Sequence, residues 1–272
     1  MTSFDVSSYS FAMHNKDNNN SKLLTRKQRE LFEREQLILD TAQHILQHEG
    51  LQSLTMDRVA AEVEYSKGTI YNHFNSKEEI ISGIGCRCMN KLIAMFDRAK
   101  NYPGSHRERI AAVGIAHSLY AELHPVELQN MQLVKSSAVR KKVSAKKQQE
   151  LLHLEQQVTG IVLQIIRDAM QQGDIPNDQA HFPDGIMLGL WSMGYGSNLL
   201  HISAIPFDQL GIKQPLEMMW INSHKLLDSY QWQPLSNTFD IHALKEKICN
   251  EIFAEEVSEL KTIIESEKKH AR

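Results

Sequence analysis

The sequence predicts an all-α protein, and three observations carry that prediction. Apolar residues recur at the three- and four-residue spacing that one face of a helix requires. Side chains suited to capping a helix N-terminus stand just ahead of several such runs, at Thr55, Ser66 and Ser76. Proline and glycine punctuate the chain at Pro103, Gly104, Pro125, Gly173, Pro176, Pro206, Pro215 and Pro234, while no segment alternates with the two-residue period of a strand.

The elements follow in order. Lys27 to Glu49 forms a first helix: Ile38, Ala42, Ile45 and Glu49 mark one face, Leu39 and Leu46 widen its apolar part, and Gly50 stands where a terminating glycine belongs. Thr55 caps a short helix from Met56 to Val63, whose Val59, Ala60 and Val63 pack beneath Ile45 and Leu46. Ser66 caps a third, from Lys67 to Phe74, with Ile70, Tyr71 and Phe74 at helical spacing. Burying one such apolar side chain contributes about 2 kcal/mol, so packing more than propensity holds so short a helix. Ser76 and Glu79 form a capping-box pattern ahead of Ile80, Ile81 and Ile84, opening a long fourth helix that ends before the turn Asn101, Tyr102, Pro103, Gly104. Further helices are expected near 105–122, 125–138, 145–172, 179–203, 214–231 and 239–268. This gives a disordered polar arm over 1–22, a small domain with its connecting helix over 23–100, and a larger helical domain over 101–272.

Composition narrows the function classes. At 272 residues with 42% hydrophobic content, the chain is long enough for one small and one larger core. A net charge of −3 supplies no global basic field, so any nucleic-acid contact depends on local patches. Cys86, Cys88 and Cys249 are too few for a disulfide framework, and on one helix Cys86 and Cys88 point about 200° apart, which argues against a shared metal. The first twenty residues lack the basic and apolar regions of an export signal, and nowhere do roughly twenty apolar residues run together, so a cytoplasmic protein without a membrane span is expected. No GxGxxG, Walker A, HExxH or complete GxSxG pattern occurs, and Leu190 to Gly194 lacks the first glycine of the last. His44 and His48 are one helical turn apart but have no evident third ligand. No enzyme activity, cofactor or metal is expected.

Three short helices followed by a long one make a helix-turn-helix, whose second member is built to enter a DNA major groove. Such a recognition helix needs a thin backbone and small polar side chains at its N-terminal end, and Lys67, Gly68 and Thr69 provide them. Gly68 costs about 1 kcal/mol relative to alanine in a helix, a cost that makes sense where bulk would hold the backbone off the DNA. Tyr71, His73 and Lys77 carry donors suited to phosphate oxygens. Thr55 either bonds a phosphate while capping its helix or acts as a cap alone. The arm cations Lys22, Arg26, Lys27 and Arg29 either extend the contact or are solvated charge.

The run from Gly50 through Thr55, Met56, Val59, Ala60, Ser66, Lys67, Gly68, Thr69, Ile70, Tyr71, Asn72, His73, Phe74, Ser76, Lys77 and Glu78 resembles the N-terminal signature of the TetR family of bacterial transcriptional regulators. The resemblance implies that Thr55, Lys67, Gly68, Thr69, Tyr71, Asn72, His73 and Lys77 form the DNA-contact set, with Tyr71, His73 and Lys77 on the backbone. It further implies a homodimer on double-stranded operator DNA, a larger domain that dimerises and binds a small-molecule effector, and release of a repressor when the effector binds. One departure stands out: the family commonly has glycine in the turn before the capping serine, where this chain has Glu64 and Tyr65. A left-handed Glu64 costs roughly 1 kcal/mol.

The larger domain carries weaker signals. Gly189, Ser192, Gly196 and Ser203 share a small-residue face of one helix, opposite Leu188, Trp191, Tyr195, Leu199 and Ile202. The small face packs either across a dimer axis or against another helix of the same chain. His117, Tyr120, Met131, Leu163, Met170, Met187, Trp191 and Tyr195 are candidates for an effector cavity, or core residues. Lys135, Arg140, Lys141, Lys142, Lys146 and Lys147 form a basic stretch with no acid between Glu127 and Glu150. It suits an anionic ligand, flanking DNA or plain solvation. The alternative function is a helix-turn-helix interaction or architectural protein whose large domain binds another protein.

Overall fold

The computed structural model describes residues 25–176, 183–203 and 205–270, and every regular element among them is helical. The expected arm over 1–22 lies outside the described residues. The chain divides into two compact units, one of residues 1–91 and 126–155, the other of 92–125 and 156–272.

The first unit opens with α1, Arg26–Glu49, which starts one residue earlier than its apolar pattern suggested. Thr25 is the reason: its side chain accepts from Gln28 N, and Gln28 answers with a carbonyl for Thr25 N at 2.9 Å, a complete capping box. α2, Met56–Glu62, and α3, Lys67–His73, follow with the expected caps. α4 runs Lys77–Lys100. The core holds Ile38, Leu39, Ala42 and Ile45 of α1, Val59 and Ala60 of α2, Ile70 of α3, and Ile80, Ile81 and Ile84 of α4, all buried.

Two glycines set how closely α4 is approached. A Cβ on Gly83 would meet Leu39 Cδ2 at 2.9 Å and the Phe74 ring at 3.1 Å. On Gly85 it would meet Val134 Cγ2 at 2.6 Å. Val134 belongs to α6, Pro125–Lys135, so α4 lies between the helix-turn-helix core and α6. Arg87 of α4 adds hydrogen bonds to Gln36 and Gln43 and an ion pair to Asp40, all on α1. The buried Glu127 carboxylate takes Lys91 Nζ at 2.7 Å.

The expected helix over 125–138 is two. Ser136 hydrogen-bonds back to Leu133 O at 2.6 Å and accepts from Val139 N, ending α6 and capping the single turn α7, Ser137–Arg140. α8 then runs Ala145–Gln172 and ends in the second unit at Gly173, whose φ of +83° permits paired bonds from Gly173 N to Met170 O and from Asp174 N to Ala169 O.

In the second unit α5, His106–Leu123, is buried along most of its length, and α9, Pro183–His201, α11, Ile241–Ile252, and α12, Ala254–His270, pack on it. α10, Pro215–Ser229, packs along α9, with Leu226 at 3.1 Å from where a Gly189 Cβ would stand. Gly194 lets α9 approach His117 of α5 in the same way, at 3.1 Å.

A single buried cation organises the segment after α10. Arg107 is wholly inaccessible and donates to Trp232 O at 2.7 Å, His224 O at 2.9 Å and Asp228 Oδ1 at 2.7 Å. Asp228 also accepts from Ser236 N at 3.0 Å. Burial works to raise the Asp228 carboxyl, but the bonds from Ser236 and Arg107 hold it below the usual carboxylate range. The Trp232 carbonyl, in the loop after α10, thereby gains a donor, and the same guanidinium ties that loop to the last turns of α10.

The expected helix over 239–268 is also two, divided at Phe253, whose ring is fully buried. Arg98 stands 5.0 Å over that ring and donates to the Ile252 carbonyl at 3.2 Å, a group that the interruption leaves without a helical partner.

His224 is buried between Trp220 and Phe239. Burial, and then the nearby Arg107, push its pKa down to about 4 from 6.5. Across that window the unfolded chain binds a proton that the folded chain refuses. His224 therefore contributes stability that is complete above about pH 6.5 and is lost as pH falls toward 4. In urea-unfolding series between about pH 7 and 5 we expect His224→Phe to flatten the pH dependence; an unchanged slope would assign the titration to another group.

Candidate DNA-contact surface

The surface is built on the turn between α2 and α3. Thr55 caps α2 by accepting from Arg58 N at 3.1 Å. Ser66 caps α3 by accepting from Thr69 N at 3.1 Å, and its hydroxyl lies 2.8 Å from the Thr69 hydroxyl. Between them Glu64 adopts φ +54°. Glu64 N then bonds Ala61 O at 3.3 Å and Tyr65 N bonds Ala60 O at 3.0 Å, the paired closure usually made by glycine. The turn keeps its helix-terminating geometry, and Glu64 bears the left-handed backbone conformation.

α3 divides sharply into an inner and an outer face. Ile70 is completely buried, with Phe74 beneath the helix end. Lys67, Gly68, Tyr71 and Asn72 are exposed, Tyr71 by 50% despite its large apolar ring, and Thr69 and His73 are half-buried. A Cβ on Gly68 would meet only Ser66 Oγ, at 3.7 Å, so nothing within the chain requires a glycine there.

The charges are partly engaged. Lys67 Nζ lies 2.7 Å from Asp57 Oδ2, and Arg58 bridges Glu49 and Glu62 at 3.0 and 2.9 Å, all exposed pairs that contribute little to stability. Partial burial lowers the His73 pKa, and Arg34 lowers it further. The neutral ring can still donate from one nitrogen. Arg34, on the exposed surface of α1, is a further cation at this surface; it lies outside the motif, and only folding brings it near His73.

α4 begins at Lys77, which is half-exposed. Of the expected capping box only half forms: Glu79 N bonds Ser76 Oγ at 3.2 Å, but the Glu79 carboxylate turns to Asn75 N and Asn75 Nδ2, both at 3.0 Å. Thus Thr55 at the cap of α2, Lys67, Gly68, Thr69, Tyr71, Asn72 and His73 on α3, and Lys77 at the start of α4 all lie within one compact unit.

The candidate effector residues are more dispersed. Met131 belongs to the first unit and the other seven to the second. Tyr120 is fully buried, His117 contacts Gly194 and Asn198, and Trp191 is 46% exposed. A cavity of about 490 Å³ in the second unit is lined by none of them. Its wall includes Glu122, His201, Gln214, Glu217, His242 and Lys245, from four separate helical segments. No local sequence pattern marks that set. Glu217 pairs with His242 at 3.1 Å and Lys245 at 3.4 Å, and burial raises the Glu122 carboxyl. Of the small-residue face, Gly189 meets Leu226 of the same chain, Gly196 faces open space, and Ser192 and Ser203 are exposed.

These features define the first unit as a helix-turn-helix domain of the kind found in bacterial regulators. Residues 38–84, which span the helix-turn-helix, match the family described as bacterial regulatory proteins, tetR family. An HTH-type transcriptional regulator of Staphylococcus aureus is 29% identical over 73 residues, a match that spans 27% of this chain and 40% of the relative. Among solved structures, the TetR family regulator PfmR from Thermus thermophilus aligns with a TM-score of 0.55 at 19% identity, covering 70% of this chain and 97% of its own. The ketosteroid transcriptional regulator KstR2 of Mycobacterium tuberculosis gives 0.53 at 15%, with 72% and 94% covered, and the fatty acid degradation regulator FadR from Bacillus halodurans gives 0.55 at 13%, with 71% and 93%. The shared fold thus takes in nearly all of those chains and leaves over a quarter of this one outside it.

Replacing Glu64 tests the turn. Glu64→Gly is expected to be neutral or to stabilise by up to about 1 kcal/mol, whereas Glu64→Val should destabilise by about 1 kcal/mol or more in chemical denaturation. Equal stability of the two variants would exclude a left-handed residue at this position.

Proposed function

We propose that this protein is a sequence-specific DNA-binding transcriptional regulator that acts as a homodimer, a repressor released from its operator by a small-molecule effector. The observation that carries this reading is the outer face of α3. Gly68 has no neighbour that needs it to be small, and Tyr71 leaves an aromatic ring half in water directly beside a fully buried Ile70. A glycine inside a helix costs stability, and both features become intelligible where another molecule approaches the helix.

In this reading the start of α3 meets base edges through Lys67, Gly68 and Thr69, while Tyr71, Asn72, His73, Thr55 and Lys77 donate to phosphates. A dimer presents two such helices about 34 Å apart, one for each successive major groove. The dimer face is supported by the exposed apolar side chains of α9 and α10, with Leu188, Trp191, Leu200 and Met218 all at least 44% exposed. Gly196, which faces open space, and the exposed Ser192 allow close approach beside them.

The cavity in the second unit supports an effector with polar groups, because its wall offers two imidazoles, two carboxylates and an amine. Such a molecule weakens DNA binding only by binding one of two conformations more tightly. Moving the population from 1:99 to 99:1 needs about a 10⁴-fold preference.

Two measurements test this. Genomic fragments selected by the purified protein, followed by fluorescence anisotropy, should show salt-sensitive binding that Tyr71→Ala weakens about tenfold or more. Failure to select any fragment would favour the interaction-protein alternative. In sedimentation velocity the wild-type chain should run as a dimer and Trp191→Asp as a monomer; a dimeric variant would move the interface off α9.

A further inference from the structure

The segment joining α6 to α8 belongs to the same compact unit as the helix-turn-helix, although more than sixty residues separate them in the sequence. Two contacts fix it there. Lys142 Nζ lies 3.0 Å from Glu78 Oε1, and Ser144 N donates to Glu79 Oε1 at 3.1 Å. The other oxygen of Glu79 accepts from Asn75, just before α4. One buried carboxylate therefore holds the start of α8 beside the start of α4, where Lys77 stands.

The segment itself carries charge of one sign only. The chain has no acid between Glu127 and Glu150. The two acids bonded to the segment are already engaged: burial works to raise both carboxyls, but Lys142 at Glu78 and the amides of Asn75 and Ser144 at Glu79 pull them below the usual range. A third acid, Glu35 of α1, feels Lys147 and Lys146, which lower its carboxyl, while burial raises it by more. Among the cations, Arg140 is committed to Glu155, and Lys147 lies 2.8 Å from Glu150. Lys141, Lys142 and Lys146 are exposed, and the Lys142 side chain keeps 64% of its surface even while touching Glu78. Lys142 and Lys77 both act on the Glu78 carboxyl, so the basic segment adjoins the start of α4 at the candidate DNA-contact face.

We propose that Lys141, Lys142 and Lys146 bind backbone phosphates of the same duplex that α3 reads, so that the interface extends beyond the helix-turn-helix to the α7–α8 connection. This rests on the DNA-binding reading above and deepens it. A lysine suits the role because an ammonium is a point charge that needs no fixed hydrogen-bond geometry, and phosphate contacts of this kind add affinity without reading sequence.

The test uses the full chain and a random-sequence duplex, measured by fluorescence anisotropy over a salt series. Lys141→Ala/Lys146→Ala leaves the Lys142 to Glu78 pair intact and removes two exposed charges. The slope of log affinity against log salt should become shallower by about one for each phosphate that the variant no longer neutralises. Lys141→Arg/Lys146→Arg should keep the wild-type slope. The charge-matched control Lys213→Ala/Lys225→Ala, on the second unit, should also keep it, and thermal melts identify any variant that fails to fold. An unchanged slope in the first variant, or an equal loss in the control, overturns the proposal while DNA binding stands. Wild-type protein with no salt-dependent binding would instead remove the DNA-binding reading itself.

Discussion

A carboxylate taken out of water must find donors for both of its oxygens or be protonated, and Glu79 meets that demand with partners from two distant parts of the chain. One oxygen takes the main-chain and side-chain amides of Asn75, the other the amide of Ser144. Because these donors lie at the starts of two long helices, the positive ends of both dipoles stabilise the same charge. The arrangement ties the first turn of α4 to the start of α8, while α4 forms one wall of the core around Ile70 and Phe74.

The second unit solves the converse problem with a buried cation. Arg107 has no accessible surface, and its guanidinium bonds two carbonyls and a carboxylate around the end of α10. An arginine can do this because its donors form a fixed planar fork and it stays charged where a lysine would release its proton. The two units thus use opposite charges for one purpose, which is to join segments that the chain itself keeps far apart.

Much of this was legible in the sequence because it is local. The caps at Thr55 and Ser66, the four N-terminal helices and the turn ahead of Ser66 each follow from residues within a few positions of one another, and even the cost at Glu64 follows from the missing glycine. What escaped was set by contacts across long separations. The break at Phe253 depends on Arg98, 154 residues earlier than the carbonyl it relieves. Glu79 reaches Ser144 across 65 residues, and Arg107 reaches Trp232 across 125. Ser136 is an exception: the bonds that end α6 there are local, but serine mid-pattern is compatible with either a helix or a cap. The cavity wall was unreadable for the same reason as the long-range bonds, since four segments supply it and none carries a pattern.

The division of the chain has a consequence for how it is made. The unit bearing the helix-turn-helix is discontinuous, closed only when residues 126–155 join residues 1–91. On a ribosome adding about 5–20 residues per second, the surface of α4 around Gly85 therefore waits several seconds for Val134 to emerge and cover it. During that interval the nascent domain exposes apolar surface that the finished protein hides, and it is in this interval that chaperone capture or misassociation competes with folding.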